Sequence, residues 1–196
     1  MTGQVRHVVR SLTFAVGSAA LVGLVASAQT MGSPERYTAN AINMDAGTAG
    51  TIDITVDRWS TDKQRDALIN TILKQGPEKL LDAIQDEKPV GHFGAPGNLG
   101  WDLRFARRTP LPEGGERVVL VTDRRVGFRE AVNQPRSIDY PFTVIELRLN
   151  ADGEGEGKMS VATKVIYEKE SNTITLENYG IQPVQLTNVK RQRSTH

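Results

Sequence analysis

Between Trp101 and Lys190 the chain is written in short alternating runs separated by turn residues, and that pattern leaves few folds open. The runs are Trp101 to Arg108, Glu116 to Thr122, Pro141 to Leu149, Lys158 to Tyr167, Thr173 to Asn178 and Val184 to Lys190. Pro112 to Gly115, Asn150 to Gly153 and Ser171-Asn172 hold the residue types that reverse a chain. Strands joined this closely run antiparallel, because a parallel crossover needs a dozen residues or more.

The same period begins earlier. Thr51 to Trp59 sets Ile52, Ile54 and Val56 on one side against Asp53, Thr55 and Asp57 on the other, as in a half-buried strand. Glu35 to Met44 reads as a weaker strand, joined to it through the glycine-rich Asp45 to Gly50. At Ser60 the period changes. Ser60 or Thr61 supplies a helix cap, and Ala67, Leu68, Ile72 and Leu73 fall at helical spacing. Gly76-Pro77 ends that helix and starts a second, Glu78 to Asp86, which buries Leu80, Leu81 and Ile84. Lys88 to Gly100, rich in glycine and proline, reads as a loop with room for a short strand. The expected fold is α+β and predominantly antiparallel. About eight strands form a curved sheet or a barrel around the helices, with a helical hairpin inserted after the second strand.

The N-terminus carries a different message. Arg6 and Arg10 precede an apolar run from Leu12 to Ala26, and Ala26-Ser27-Ala28 follows with the small-x-small pattern of a cleavage site. This is the order of a secretory signal peptide, and the run is shorter than the roughly twenty residues that span a bilayer. Residues 1–28 are therefore expected to be removed, leaving a leader at 29–34, one domain at 35–190 and a C-terminal tail at 191–196. The product is expected outside the cytoplasm, periplasmic or extracellular, with no transmembrane segment after cleavage.

Composition narrows the chemistry. Of 196 residues none is cysteine, so an exported form relies on packing alone and has no thiolate nucleophile. Loss of Arg6 and Arg10 lowers the 24 Lys and Arg to 22, against 23 Asp and Glu. That near-neutral balance argues against nucleic acid as a partner. An unknown small molecule or protein is the partner expected.

Three segments, GNLGWDLRFARRTPLP, NQPRSIDYPFTVIELRLN and GEGKMSVATKV, resemble a family of bacterial exported proteins of uncharacterised activity. The resemblance covers most of the chain beyond residue 28. It implies an exported bacterial protein and brings no activity, cofactor or catalytic residue with it.

Candidate chemistry is sparse. His92 is the only histidine outside the signal and the C-terminal residue, and a secreted hydrolase would have to use it. No G-x-S-x-G elbow accompanies it. A zinc site would lack nitrogen and sulfur ligands, and the acidic run Asn150 to Gly157 lacks the order of a calcium loop. No cofactor or metal is expected. Nine arginines fall between Trp101 and Leu149. Alternation puts Arg104 and Arg108 on one strand face with Asp102, opposite Trp101, Leu103 and Phe105. It puts Glu146 with Arg148, opposite Thr143, Ile145, Leu147 and Leu149. Such a face either grips an anion or forms a solvated lattice of cross-strand ion pairs. Trp59, by parity on the polar side, either touches a ligand or packs under the helices. The expected function is a non-enzymatic binding or accessory role, through a sheet-lined cavity or an arginine-bearing face using Arg104, Arg108, Arg148, Trp59 and His92. A hydrolase centred on His92 is the alternative.

Overall fold

Tyr37, Ala39 and Ala41 in β1 (Glu35–Asn43) and Ile52, Ile54 and Val56 in β2 (Thr48–Val56) are buried, and the residues between them face outward. The same period recurs in strand after strand, so one face of a single sheet becomes a continuous apolar surface. The computed structural model describes residues 34–124, 126, 140–171, 173–178 and 182–192. The expected signal peptide 1–28, most of the leader, positions 193–196, and Arg125, Arg129 and Arg136 lie outside these residues.

The remaining strands are β3 (Gly91–Gly94), β4 (Trp101–Leu103), β5 (Phe105–Pro110), β6 (Glu116–Thr122), β7 (Phe142–Leu149), β8 (Glu154–Glu168), β9 (Thr173–Asn178) and β10 (Val184–Gln192). Among the described residues, ten strands form one antiparallel sheet in the order β4-β3-β2-β1-β10-β8-β7-β6-β5, with β9 paired to β8 off that path. Its two edges are consecutive in sequence. β4 pairs with β3, β5 pairs with β6, and only Arg104 lies between them. The Leu103 carbonyl accepts from the Val90 N–H at 2.8 Å, and the Arg104 N–H donates to the Val121 carbonyl at 2.8 Å. The sheet thereby curls into a nearly closed barrel. Ser60, just beyond β2, laps over the seam, its N–H donating to Ala106 and its hydroxyl accepting from the Ala106 N–H.

This closure corrects the expected strand Trp101 to Arg108. Leu103 and Ala106 both reach the barrel interior, three residues apart, so the alternation resets at Arg104. Phe105 then faces away from Leu103, into a second cluster under the helices. Arg104 and Arg108 do not share one regular strand face. Other boundaries also move. β8 begins at Glu154, so Glu154 to Gly157 belongs to a strand and only Asn150–Gly153 turns the chain. β10 continues to Gln192, two residues into the expected tail.

Two helices follow β2, as expected. In α1 (Asp62–Gln75), Thr61 is the cap: its hydroxyl accepts from the Gln64 N–H at 3.2 Å, while the Gln64 side chain accepts from the Thr61 N–H. After Gly76, a 3₁₀ turn (Pro77–Lys79) leads into α2 (Leu80–Gln85). The pair packs outside the barrel rather than within it. Leu68, Ile72, Leu80 and Ile84 meet Phe142, Val144 and Val165 on the outer sheet face. Ala67 and Leu73, expected in the buried stripe, are exposed. The barrel interior is filled by strand side chains, with Phe93, Leu103, Leu120, Leu147 and Leu186 among them.

Candidate functional site

The residues singled out in sequence fall in four places. Arg104 serves the barrel closure. Its guanidinium donates to the Glu87 carbonyl at 2.9 Å and lies 3.5 Å from the largely buried carboxylate of Asp123. Arg108 and Trp59 do come together, at the end of the barrel where β1 starts. Trp59 lies beyond β2 and packs on the interior cluster, so neither strand parity nor a position under the helices describes it. The Glu35 carboxylate accepts from the Trp59 indole N–H at 3.2 Å and from Arg108 at 2.7 Å, and Arg108 stacks 5.0 Å from the Trp59 ring centre.

Arg191, placed in the expected tail, completes that cluster. It pairs with Glu116, lies 3.9 Å from Glu35 and stands 5.9 Å from the Tyr37 ring centre. Burial opposes its charge, but the carboxylates of Glu116 and Glu35 and the Tyr37 hydroxyl outweigh burial and raise its pKa. Tyr37, 1% exposed, donates to Glu35 at 3.0 Å. Burial first, then Glu35 and Glu116, push its pKa well above the ordinary tyrosine range, so the hydroxyl keeps its proton. Every charge in this cluster has a partner within the chain. It lies at one end of the barrel, where β1 starts and β10 finishes.

The outer sheet face is also internally paired. Glu146 lies 3.0 Å from Arg117 and 3.8 Å from Lys158, and Arg148 lies 3.5 Å from Glu113. Glu146 and Arg148 share this face, opposite the buried Thr143, Ile145, Leu147 and Leu149, as the alternation in β7 implied. Ion pairs between exposed groups on such a face contribute about 0–1 kcal/mol each. His92 is exposed on β3, on the outer face, between Thr55 and Asp102 on the flanking strands.

The opposite end of the barrel is different in kind. A cavity of about 470 Å³ runs from a rim at Thr51 and Asn98 to a floor of buried side chains. Ile52 from β2, Phe93 from β3, Trp101 from β4 and Met159 from β8 line it, with Val126 beside them. Phe93 and Trp101 are cross-strand partners with ring centres 5.6 Å apart and planes tilted by 36°. Val126 is tied in by buried Thr143, whose hydroxyl accepts the Val126 N–H at 3.0 Å and donates to the Val161 carbonyl. Glycine shapes the loop at the rim. Gly100 has φ +69°, and a Cβ there would lie 2.2 Å from the Phe93 carbonyl oxygen. Among the described lining residues none is ionisable.

No protein-family model, curated protein or solved structure matches this chain. The functional reading therefore rests on the site itself. Among the described residues, no group of three or more His, Asp or Glu side chains is placed to hold a metal ion. In sequence, Ile52 and Trp101 fall on apolar strand faces, Phe93 in the expected loop Lys88 to Gly100 and Met159 inside an expected strand, and none of them stands out as a site residue. Alternation reports which side chains point inward, and it is silent on whether they fill the space. The usable signal was the density of glycine from Gly91 to Gly100, which lets backbone approach backbone beside the aromatic pair.

Proposed function

We propose that the chain is an exported, non-catalytic binding protein that holds a small, uncharged and mainly apolar molecule in the open end of its barrel. One observation carries this reading: a cavity of about 470 Å³ lined by Ile52, Phe93, Trp101 and Met159, where Thr51 and Asn98 are the polar side chains among the described lining residues. Barrel mouths are recurrent ligand sites, and an apolar wall with a few polar groups suits burial of most of a small ligand. Among the described lining residues, an ionised ligand would lose its hydration with no opposite charge to meet it. The arginine-bearing face is the weaker site, because its charges already satisfy one another. Export is supported by the order of charged, apolar and small residues in 1–28.

Titration with the neutral fluorophore N-phenyl-1-naphthylamine tests this reading. Saturable enhancement with micromolar affinity is expected. Met159→Trp, which fills the floor, and Ala95→Trp, which adds bulk at the exposed rim, should each weaken binding at least roughly ten-fold, a loss of about 1.4 kcal/mol. His92→Ala, on the outer face, should leave affinity and stability unchanged. A flat titration of folded protein, or binding indifferent to both tryptophan variants, overturns the proposal. Turnover of any ester or amide that His92→Ala abolished would favour the hydrolase instead.

A further inference from the structure

We propose that a second cleft, outside the barrel, binds a small zwitterion bearing an apolar side group, of the class of free leucine or phenylalanine. This cleft has a volume of about 390 Å³ and lies between the helical hairpin and strands β7 and β8. It shares no described lining residue with the barrel mouth. Its apolar surface comes from Leu81, Phe142 and Val165. Leu176 and Ile174 stand opposite Val165 and Tyr167 on the adjoining strand and are 50% and 41% exposed. They extend the apolar surface on the side of β9.

Two charges complete the lining, Lys164 from β8 and Glu78 from the 3₁₀ turn. Among the described residues, neither forms an ion pair or a side-chain hydrogen bond. That sets them apart from Arg117, Arg148 and Lys158, which all pair with carboxylates. Register places Lys164 opposite Glu177, yet Glu177 accepts the Tyr140 hydroxyl at 2.6 Å and leaves the ammonium unpaired. An apolar cleft with one unpaired charge of each sign complements a molecule that carries both. An anionic amphiphile would meet Glu78 as a like charge, and a cationic one would meet Lys164. The carboxylate of an amino acid fits Lys164, its ammonium fits Glu78, and its side chain covers the Phe142–Val165 surface.

Calorimetric or NMR titration with L-leucine and L-phenylalanine, beside their N-acetyl and amide derivatives, tests the assignment. The parent amino acids should bind saturably. Each derivative lacks one charge and should bind roughly ten-fold more weakly, the scale of one lost charge-assisted contact. Lys164→Met should erase the difference between amino acid and amide, and Glu78→Gln the difference between amino acid and N-acetyl form. Both positions are exposed, so the variants should fold normally. Absence of saturable binding by the parents, or derivatives binding as well as they do, overturns the proposal. Displacement of N-phenyl-1-naphthylamine by leucine would place the amino acid in the barrel mouth and overturn it equally.

Discussion

Arg104→Leu should lower the free energy of unfolding by about 3–5 kcal/mol, the cost of removing one member of a buried ion pair. The side chains of Arg104 and Asp123 are only 19% and 8% exposed, and leucine would leave Asp123 charged, enclosed and unpaired. It would also strip the Glu87 carbonyl of its guanidinium donor. Arg104 further occupies the single position where the chain passes from one sheet edge to the other, so the loss falls on the barrel seam. Urea unfolding followed by circular dichroism would show it as a lower midpoint at unchanged slope. A double variant that also carries Asp123→Leu should recover part of the loss, because no orphaned charge remains. If Arg104→Leu alone unfolded at the wild-type midpoint, the pair would have no role in closing the barrel.

Gly155→Val should be comparably severe. A Cβ at Gly155 would sit 1.9 Å from the Arg148 carbonyl oxygen and 2.9 Å from its carbon, so strand β7 would have to move. β8 is held between β7 and β10, and displacement on one side disturbs pairing on the other. Overpacking of this kind typically costs about 1–3 kcal/mol; contact with backbone, which cannot rotate away, places this site at or above the upper end. Gly47→Ala is the control. Gly47 has φ +62° with nothing within 4 Å of a Cβ, so alanine should cost only the left-handed backbone penalty of about 1–2 kcal/mol. Thermal unfolding of the two variants side by side separates close approach from backbone strain. Equal transitions would refute the packing argument.

Gly155 also shows where the sequence stopped being readable. The run from Glu154 to Gly157 has the composition of a turn, and composition alone assigned it to the connection. Its glycines are instead required by a neighbouring strand, and that requirement appears only once β7 is beside it. Elements governed by local chemistry were legible: β6, β9, a helix cap at Ser60 or Thr61 and the Gly76-Pro77 stop follow from alternation, capping and turn residues. The reset at Arg104 was not, since one extra residue in a strand leaves no mark in a chain read by period two. The site was less legible than the fold. Trp59 and Arg108 stand out as aromatic and charged side chains on strand faces, but their shared partner Glu35, and Arg191 beside it, come from strands far from them in the chain. The cavity depends on Phe93, which falls in a stretch that reads as a loop, and on Met159, which resembles any other apolar strand residue.

The pairing of β1 with β10 has a consequence in time. Arg36 lies opposite Gln192, so the first described strand, already paired with β2, finds its second neighbour only in the last described strand. Until that C-terminal strand arrives, β1 and β8 both present open edges, and bringing them together requires ordering nearly the whole chain between. Such topology makes folding slow, because it waits on a strand that follows all the other described strands in the chain. A chain stopped short of Val184 would keep the residues of the Arg104 seam but lack the strand that joins β1 to β8, leaving two adhesive edges exposed to other molecules.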